Sequence, residues 1–441
     1  MHNEQSRLGA KLVERGEAGY EATRQTGIFN ARKPDRFPEA IVMAETIEDV
    51  QDAVRLARAR GLRVGVRSGG HSWVASHTRD GSILINLSRM QHIEIDAANL
   101  RAVVSPSTQG NILGAELRTR GLFFPSGHCA GVGIGGFTLC GGHGWNSRVW
   151  GPACESLLAL DVVTASGDLI HADETQNSDW YWAARGAGPG FFGVAVRLYL
   201  NVQSLPPAMK LTSFIFPHAM IEEMMCWVRS NTPAFPRPLE VVLLSGGPVQ
   251  AGHFRMSGIV LGTEAEAAEA LDLFEANPGA SRAAHWRNRI HIVVPNDDQT
   301  TNPPGFRYAV DNVWLSGPGE EFAPLLRDTF TRFPTPESYA FWQTWGPLRQ
   351  LPDMAYSVQG DIYVSANAVY ADPADDRRCS EWVRSAMASV AHLSDGAQLN
   401  DENMAGRSAR YFSPHALARL KALRKQYDPD EVLVSFLGDS A

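Results

Sequence analysis

His71 and Cys129 are the two side chains of this sequence best suited to attack an electrophilic carbon near neutral pH. Each sits in a glycine-rich loop. One reads Arg67-Ser68-Gly69-Gly70-His71-Ser72, the other Gly127-His128-Cys129-Ala130-Gly131-Val132-Gly133-Ile134-Gly135-Gly136. Glycine lets a backbone approach a phosphate closely and turn its N–H groups toward it. Two nucleophiles in two such loops suit a large anionic group that is held by main-chain N–H groups and bonded covalently.

The elements around these loops follow from periodicity. Ala40-Ile41-Val42-Met43 reads as a buried strand. Thr46 with Asp49 predicts a capping box, and Ile47, Val50, Val54 and Ala57 follow at helical spacing until Gly61. Leu62 to Val66 is the next strand and runs straight into the His71 loop, and Gly81 to Leu87 is another. Ala102-Val103-Val104 predicts a strand, Asn111 to Arg120 a helix stopped by Gly121, and Leu157 to Thr164 a further strand. A third glycine cluster, from Arg185 to Gly193, precedes a strand over Val194 to Val202, and Pro206-Pro207 marks a boundary. Beyond it the chain has fewer glycine loops and more aromatics, as an antiparallel sheet with helices on one face would. Glu264 to Glu275 and Arg377 to Val390 read as helices, and Ser413-Pro414 caps a last one that ends at Asp428-Pro429.

Composition excludes several classes. A net charge of -8 over 441 residues argues against a general nucleic-acid or anionic-membrane binder. No apolar run approaches the ~20 residues that span a bilayer, and Met1 to Arg7 contains no apolar signal core. Five cysteines without a Cys-x-x-Cys pair favour reduced thiols. The expectation is a cytoplasmic enzyme, monomeric or homodimeric, with a small-molecule organic substrate. Gly131-x-Gly133-x-x-Gly136 spells a dinucleotide fingerprint, but Pro125-Ser126-Gly127 stands where a strand is needed and Gly141-Gly142 interrupts the helix that should follow. A metal site from His128, Cys129, Cys140 and His143 has none of the usual zinc spacings.

The paired loops resemble those of the flavoproteins related to vanillyl-alcohol oxidase and p-cresol methylhydroxylase, and more narrowly the berberine-bridge-enzyme-like oxidases. The matches keep family order from about Pro38 to Leu200 and again from Arg410 to Pro429. The resemblance implies an α+β, two-domain FAD-binding fold of the p-cresol methylhydroxylase type. Residues 1–206 would begin the FAD-binding domain, 207–395 would form a substrate domain of antiparallel sheet covered by helices, and 396–441 would return to the first domain. It also implies FAD attached covalently through His71 at the 8α-methyl and through Cys129 at ring carbon C6. Arg67, Ser68, Gly69, Gly70 and Ser72 would cradle the pyrophosphate, and Val132, Gly133, Gly135 and Gly136 would wrap the flavin from the other side. Gly142, Gly188, Gly193 and Val194 would line the cofactor farther along.

Relatives of this kind take a hydride from a carbon bearing OH or NH and reoxidise with O2 to give hydrogen peroxide. Val132, three positions after the attachment cysteine, matches the oxidases of the family, where a bulkier leucine marks dehydrogenases. The family's usual catalytic tyrosine is replaced here, in Gln398-Leu399-Asn400, and an amide cannot act as a base near pH 7. Asp361, Tyr363 and Tyr411 are the alternative candidates, unless the substrate needs no base. The closing stretch Val434-Ser435-Phe436-Leu437-Gly438 lacks the family's asparagine-rich phrase, which puts flavin contacts from the tail in question. Trp314 and Phe341-Trp342-Gln343-Thr344-Trp345 could form an aromatic wall or simply sheet core. The expected substrate is an oligosaccharide, an aromatic polyketide or an alkaloid. The rival readings are a dehydrogenase of the same fold with another acceptor, and a flavin-dependent cyclase or isomerase without net redox change.

Overall fold

The computed structural model describes residues 2–291, 301–346, 348–399 and 406–436. Asn400, Leu437 and Gly438 lie outside them. Thr46 caps helix Ile47–Ala59 by a reciprocal capping box with Asp49, and Val50, Ala53, Val54 and Ala57 bury the inward face of that helix. It leads into strand Arg63–Arg67, part of a four-stranded sheet. The spatial order there is Leu12–Glu14, Ala40–Met43, Ser82–Asn86, Arg63–Arg67, and the last three strands are parallel. Parallel strands release their loops at one end of a sheet, where ligands bind in open α/β folds. Arg63–Arg67 releases the His71 loop at that end. The chain terminus closes the free edge of this strand, with Val64 N donating to Val432 O (2.6 Å) and Val434 N to Val64 O (2.9 Å).

A second, fully antiparallel sheet has the order Ile93–Asp96, Arg101–Val104, Val194–Asn201, Leu157–Val163, Leu169–Asp173. Helix Pro414–Tyr427, capped by Ser413, packs Ala416, Leu420 and Leu423 into the core beneath it.

An eight-stranded antiparallel sheet occupies the rest. Its order is His285–His291, Ala208–Pro217, His253–Gly262, Leu239–Gly246, Tyr339–Thr344, Ile362–Tyr370, Arg307–Leu315, Ser394–Gly396. Side chains alternate across a strand, so each strand contributes to two different surfaces. Phe214, Leu243, Met256, Trp342 and Val364 face helices Ile221–Asn231, Glu264–Glu275, Gly319–Thr331 and Asp376–Ser389 in the largest core of the molecule. Residues of the opposite parity face the two glycine loops.

Candidate flavin and substrate site

The two attachment loops meet backbone to backbone. A Cβ on Gly69 would stand 2.5 Å from Gly133 N, and one on Gly133 would stand 2.7 Å from Gly69 N, so neither position can carry a side chain. Pro106 O ties the loops together by accepting from Ser68 Oγ (2.6 Å) and Gly135 N (2.7 Å). Gly70 turns the His71 loop at φ +77°, which any other residue would adopt only under strain. Gly136 is glycine for a different reason. A Cβ there would meet nothing within 4 Å, and the residue lines the cavity described next, so its bare backbone leaves room for a ligand.

His71 and Cys129 line one cavity of about 940 Å³, at the upper end of ordinary ligand pockets. The His71 ring stacks on Phe29 with centroids 4.4 Å apart. Burial, reinforced by the Arg67 guanidinium, pulls its pKa down to about 4, so the imidazole is neutral and nucleophilic at pH 7. No described backbone carbonyl receives the N–H groups of Gly69, Gly70, His71 or Ser72. Behind that loop Arg36, Arg67 and Arg79 bind carbonyls of the 69–78 segment, and none of the three forms an ion pair among the described residues. Burial lowers the pKa of all three. Main-chain N–H groups without a described carbonyl partner, in front of three half-buried cations that form no ion pair among the described residues, suit a pyrophosphate. The residues present therefore fit FAD.

Of the glycine-loop residues singled out from the sequence, Ser68, Gly69, Gly70, Ser72, Val132, Gly133 and Gly135 also line this cavity, as do Gly188 and Gly193. Three do not. Arg67 braces the loop from behind, with Nη1 on Asn86 Oδ1 and Nη2 on Gly69 O. Gly142 packs against Ala153 and Phe137, and Val194 is buried in its sheet against Val163. The tail does reach the site: Leu433, Val434 and Ser435 line the cavity, and Arg79 Nη2 holds Ser435 O at 2.8 Å.

The base candidates separate. Asp361 lies off the cavity, paired with Arg229 at 2.7 Å, and burial raises its pKa against that pairing. Tyr411 packs in the core beneath the C-terminal helix, also off the cavity. Tyr363 and Gln398 line it. Gln398 is locked through its backbone: its N–H donates to Asn312 Oδ1 (2.8 Å) and its carbonyl accepts from Asn312 Nδ2 (2.9 Å). The aromatic wall is thinner than its sequence suggests, because alternation divides it. Phe341 and Gln343 face the cavity, Trp342 faces the helices, and Trp314 and Trp345 pack against Tyr363 behind the surface.

Two contacts of the site carry no sequence signal, because each joins residues far apart in the chain. His143 also lines the cavity and shares a 2.7 Å hydrogen bond with the buried Tyr356, with the Gln398 side chain adjoining its ring. Burial drives its pKa to about 3, so it is neutral at pH 7. Asn302 reaches Cys129 from the far side of the cavity. The partners of each pair are more than 170 positions apart, beyond any local motif.

A family model described as an FAD binding domain matches residues 38–173. The FAD-linked oxidoreductase nodO of Hypoxylon pulicicidum is 35% identical over 415 residues, covering 91% of each chain. This chain belongs to the FAD-linked oxidoreductases. Among solved structures, 6-hydroxy-D-nicotine oxidase from Arthrobacter nicotinovorans superposes with a TM-score of 0.84 at 22% identity, covering 97% of each chain. BBE-like 1 of Physcomitrella patens gives 0.84 at 20% identity, covering 100% of this chain and 98% of its own. The two-domain α+β fold is the one these structures share. As an oxidoreductase of that family, the chain uses FAD. Among the described residues, no helix is long and apolar enough to cross a membrane.

Proposed function

We propose that this oxidoreductase holds FAD covalently through both His71 and Cys129 and oxidises a C–OH or C–NH carbon of a bulky organic substrate, with O2 as acceptor. One observation carries the reading: both nucleophiles open onto a single cavity whose opposite wall is the large sheet. Bound FAD supplies a ring that accepts a hydride and passes its electrons to O2 as hydrogen peroxide. Residues 1–206 and 396–441 hold it, and residues 207–395 present the substrate. The neutral His71 imidazole is ready to form its bond. Val132 lines the cavity with a short side chain, which supports access of O2.

The sheet wall has two halves. Leu211, Ile215, Val242, Leu244 and Ile259 make one mostly aliphatic, interrupted by Ser213, Arg255 and Ser257, while Gln343, Tyr363, Ser365 and Asn367 make the other polar. Tyr363 and Gln398 hydrogen-bond the reacting OH or NH and orient its carbon, and the aliphatic half receives the body of the substrate. An oligosaccharide would lay hydroxyls over those five aliphatic side chains with only Ser213, Arg255 and Ser257 there to pair them, and each hydroxyl left over costs ~1–3 kcal/mol. The wall therefore favours an aromatic polyketide or an alkaloid.

The test is anaerobic titration of the flavin absorbance with apolar polycyclic alcohols and amines beside oligosaccharides, followed by admission of air. The reading expects bleaching by the apolar set and return of colour with stoichiometric hydrogen peroxide. Bleaching by no ligand, or recovery only with an artificial acceptor, contradicts it.

A further inference from the structure

Cys129 is met by a side chain from the opposite side of the cavity. Asn302 Nδ2 lies 3.2 Å from Cys129 Sγ. The other end of that amide is occupied, because Tyr339 Oη donates to Asn302 Oδ1 at 2.9 Å. Tyr339 begins strand Tyr339–Thr344 of the large sheet and is buried there. The backbone just beyond Asn302 is tied down as well, since the Tyr308 hydroxyl donates to Pro303 O and Tyr308 N–H donates to Asn30 Oδ1 at 2.9 Å. With its oxygen engaged by a phenol, the amide can present only N–H to the sulfur. A donor aimed at sulfur stabilises thiolate over thiol, and thiolate is the nucleophile.

We infer that Asn302, oriented by Tyr339, is a positioning residue that activates Cys129 for its own attachment to the flavin. The inference rests on the covalent reading above and adds to it the group that drives the second bond. The attachment balances as thiol plus ring C–H plus O2 giving thioether plus hydrogen peroxide. The S–C bond forms, the S–H and C–H protons leave, and O2 takes the two electrons. Asn302 belongs to the segment proposed to present substrate, so the second bond would require the sheet to be seated against the glycine loops. His71 has no such cross-cavity donor among its described contacts, and its bond should form without one.

The full-length chain produced under riboflavin limitation is mixed with FAD in air from pH 6 to 9.5. Acid-stable flavin on the His71 and Cys129 peptides is then followed by mass spectrometry. The chain with Asn302 intact should form both bonds. Asn302→Ala should slow the Cys129 bond at pH 7 about tenfold, the equivalent of one unit in the thiol pKa, and should catch up at alkaline pH where thiolate forms unaided. Asn302→Asp keeps the shape but turns a carboxylate to the sulfur, and should slow the bond further. The His71 bond should keep its rate in both. Equal Cys129 rates at every pH overturn the inference while leaving the covalent reading intact. A loss that spares no pH and takes the His71 bond with it marks a merely structural role and also overturns it. If the unaltered chain never forms the Cys129 thioether, the covalent reading falls and this inference with it.

Discussion

The two walls of the cavity are built by opposite means. The flavin wall is backbone: Gly69 and Gly133 touch main chain to main chain, and Gly136 leaves the floor bare. The substrate wall is side chain: every second residue of five strands, joined by His285 and Ile290 of a sixth, with no motif and no glycine. A wall of backbone fixes what it binds through geometry that a single Cβ destroys. A wall of side chains can be retuned one residue at a time while the sheet behind it stays the same. One family can therefore share a cofactor site and differ in substrate.

Gly133→Val puts the sharpest strain on that contrast. Its Cβ would fall within 2.8 Å of both N and Cα of Gly69, and backbone on both sides cannot give way. Flavin content, read as absorbance per chain, should fall more than tenfold, since parting the loops by even a few tenths of an ångström costs several kcal/mol. Ser257→Val on the opposite wall should leave flavin content unchanged. A yellow Gly133→Val protein would erase the distinction between the walls.

Acid should strain both walls next. Burial holds His77, in the flavin wall, and His143, beside the sheet, neutral down to about pH 3. Unfolded histidine takes its proton near pH 6.5, so the unfolded state binds more protons across the interval between. The stability these rings contribute is present above pH 6.5 and is lost as the pH falls from there toward 3. Melting temperature should drop steadily over that range, and His77→Gln and His143→Gln should each flatten the slope. A melting temperature independent of pH over this range would contradict the burial of both rings.

Gln398→Ala should cost less, about tenfold in kcat/KM, the worth of one neutral hydrogen bond to substrate. The backbone lock on Asn312 survives the change, so flavin content should hold. Unchanged kinetics would move the polar anchor elsewhere on the wall. Asp361→Asn should do least. It breaks the pair with Arg229 outside the cavity, and kcat/KM should stay within about twofold while the melting temperature falls by roughly 1–3 °C. A large loss of turnover would return Asp361 to the site.

The same contrast explains what could be read in the sequence. The flavin wall was legible because its chemistry is local. Two nucleophiles among glycines, the Thr46–Asp49 capping box and the strand feeding the His71 loop are all contiguous patterns, and the helix and strands arise where those patterns place them. Of the helices, Glu264–Glu275 covers the large sheet where its residues read as helical, and Pro414–Tyr427 starts at its Ser413 cap. The inner face of the large sheet was not legible. The run from Phe341 to Trp345 spells an aromatic wall, but a period of two sends Trp342 to the core and leaves Phe341 and Gln343 on the cavity. Asp361 and Tyr363 stand two residues apart, yet only Tyr363 lines the cavity; Asp361 is claimed by Arg229 from helix Ile221–Asn231. Asn302 on Cys129 and Tyr356 on His143 are long-range contacts that only the folded chain creates.

Whether one flavin is bonded to two side chains is read from the intact mass of the acid-denatured protein, followed by fragmentation of its peptides. A single added FAD should bridge the His71 and Cys129 peptides, and Cys129→Ala should stay yellow through His71 alone. A mass equal to the bare polypeptide, with all colour left in the acid supernatant, would rule the double attachment out.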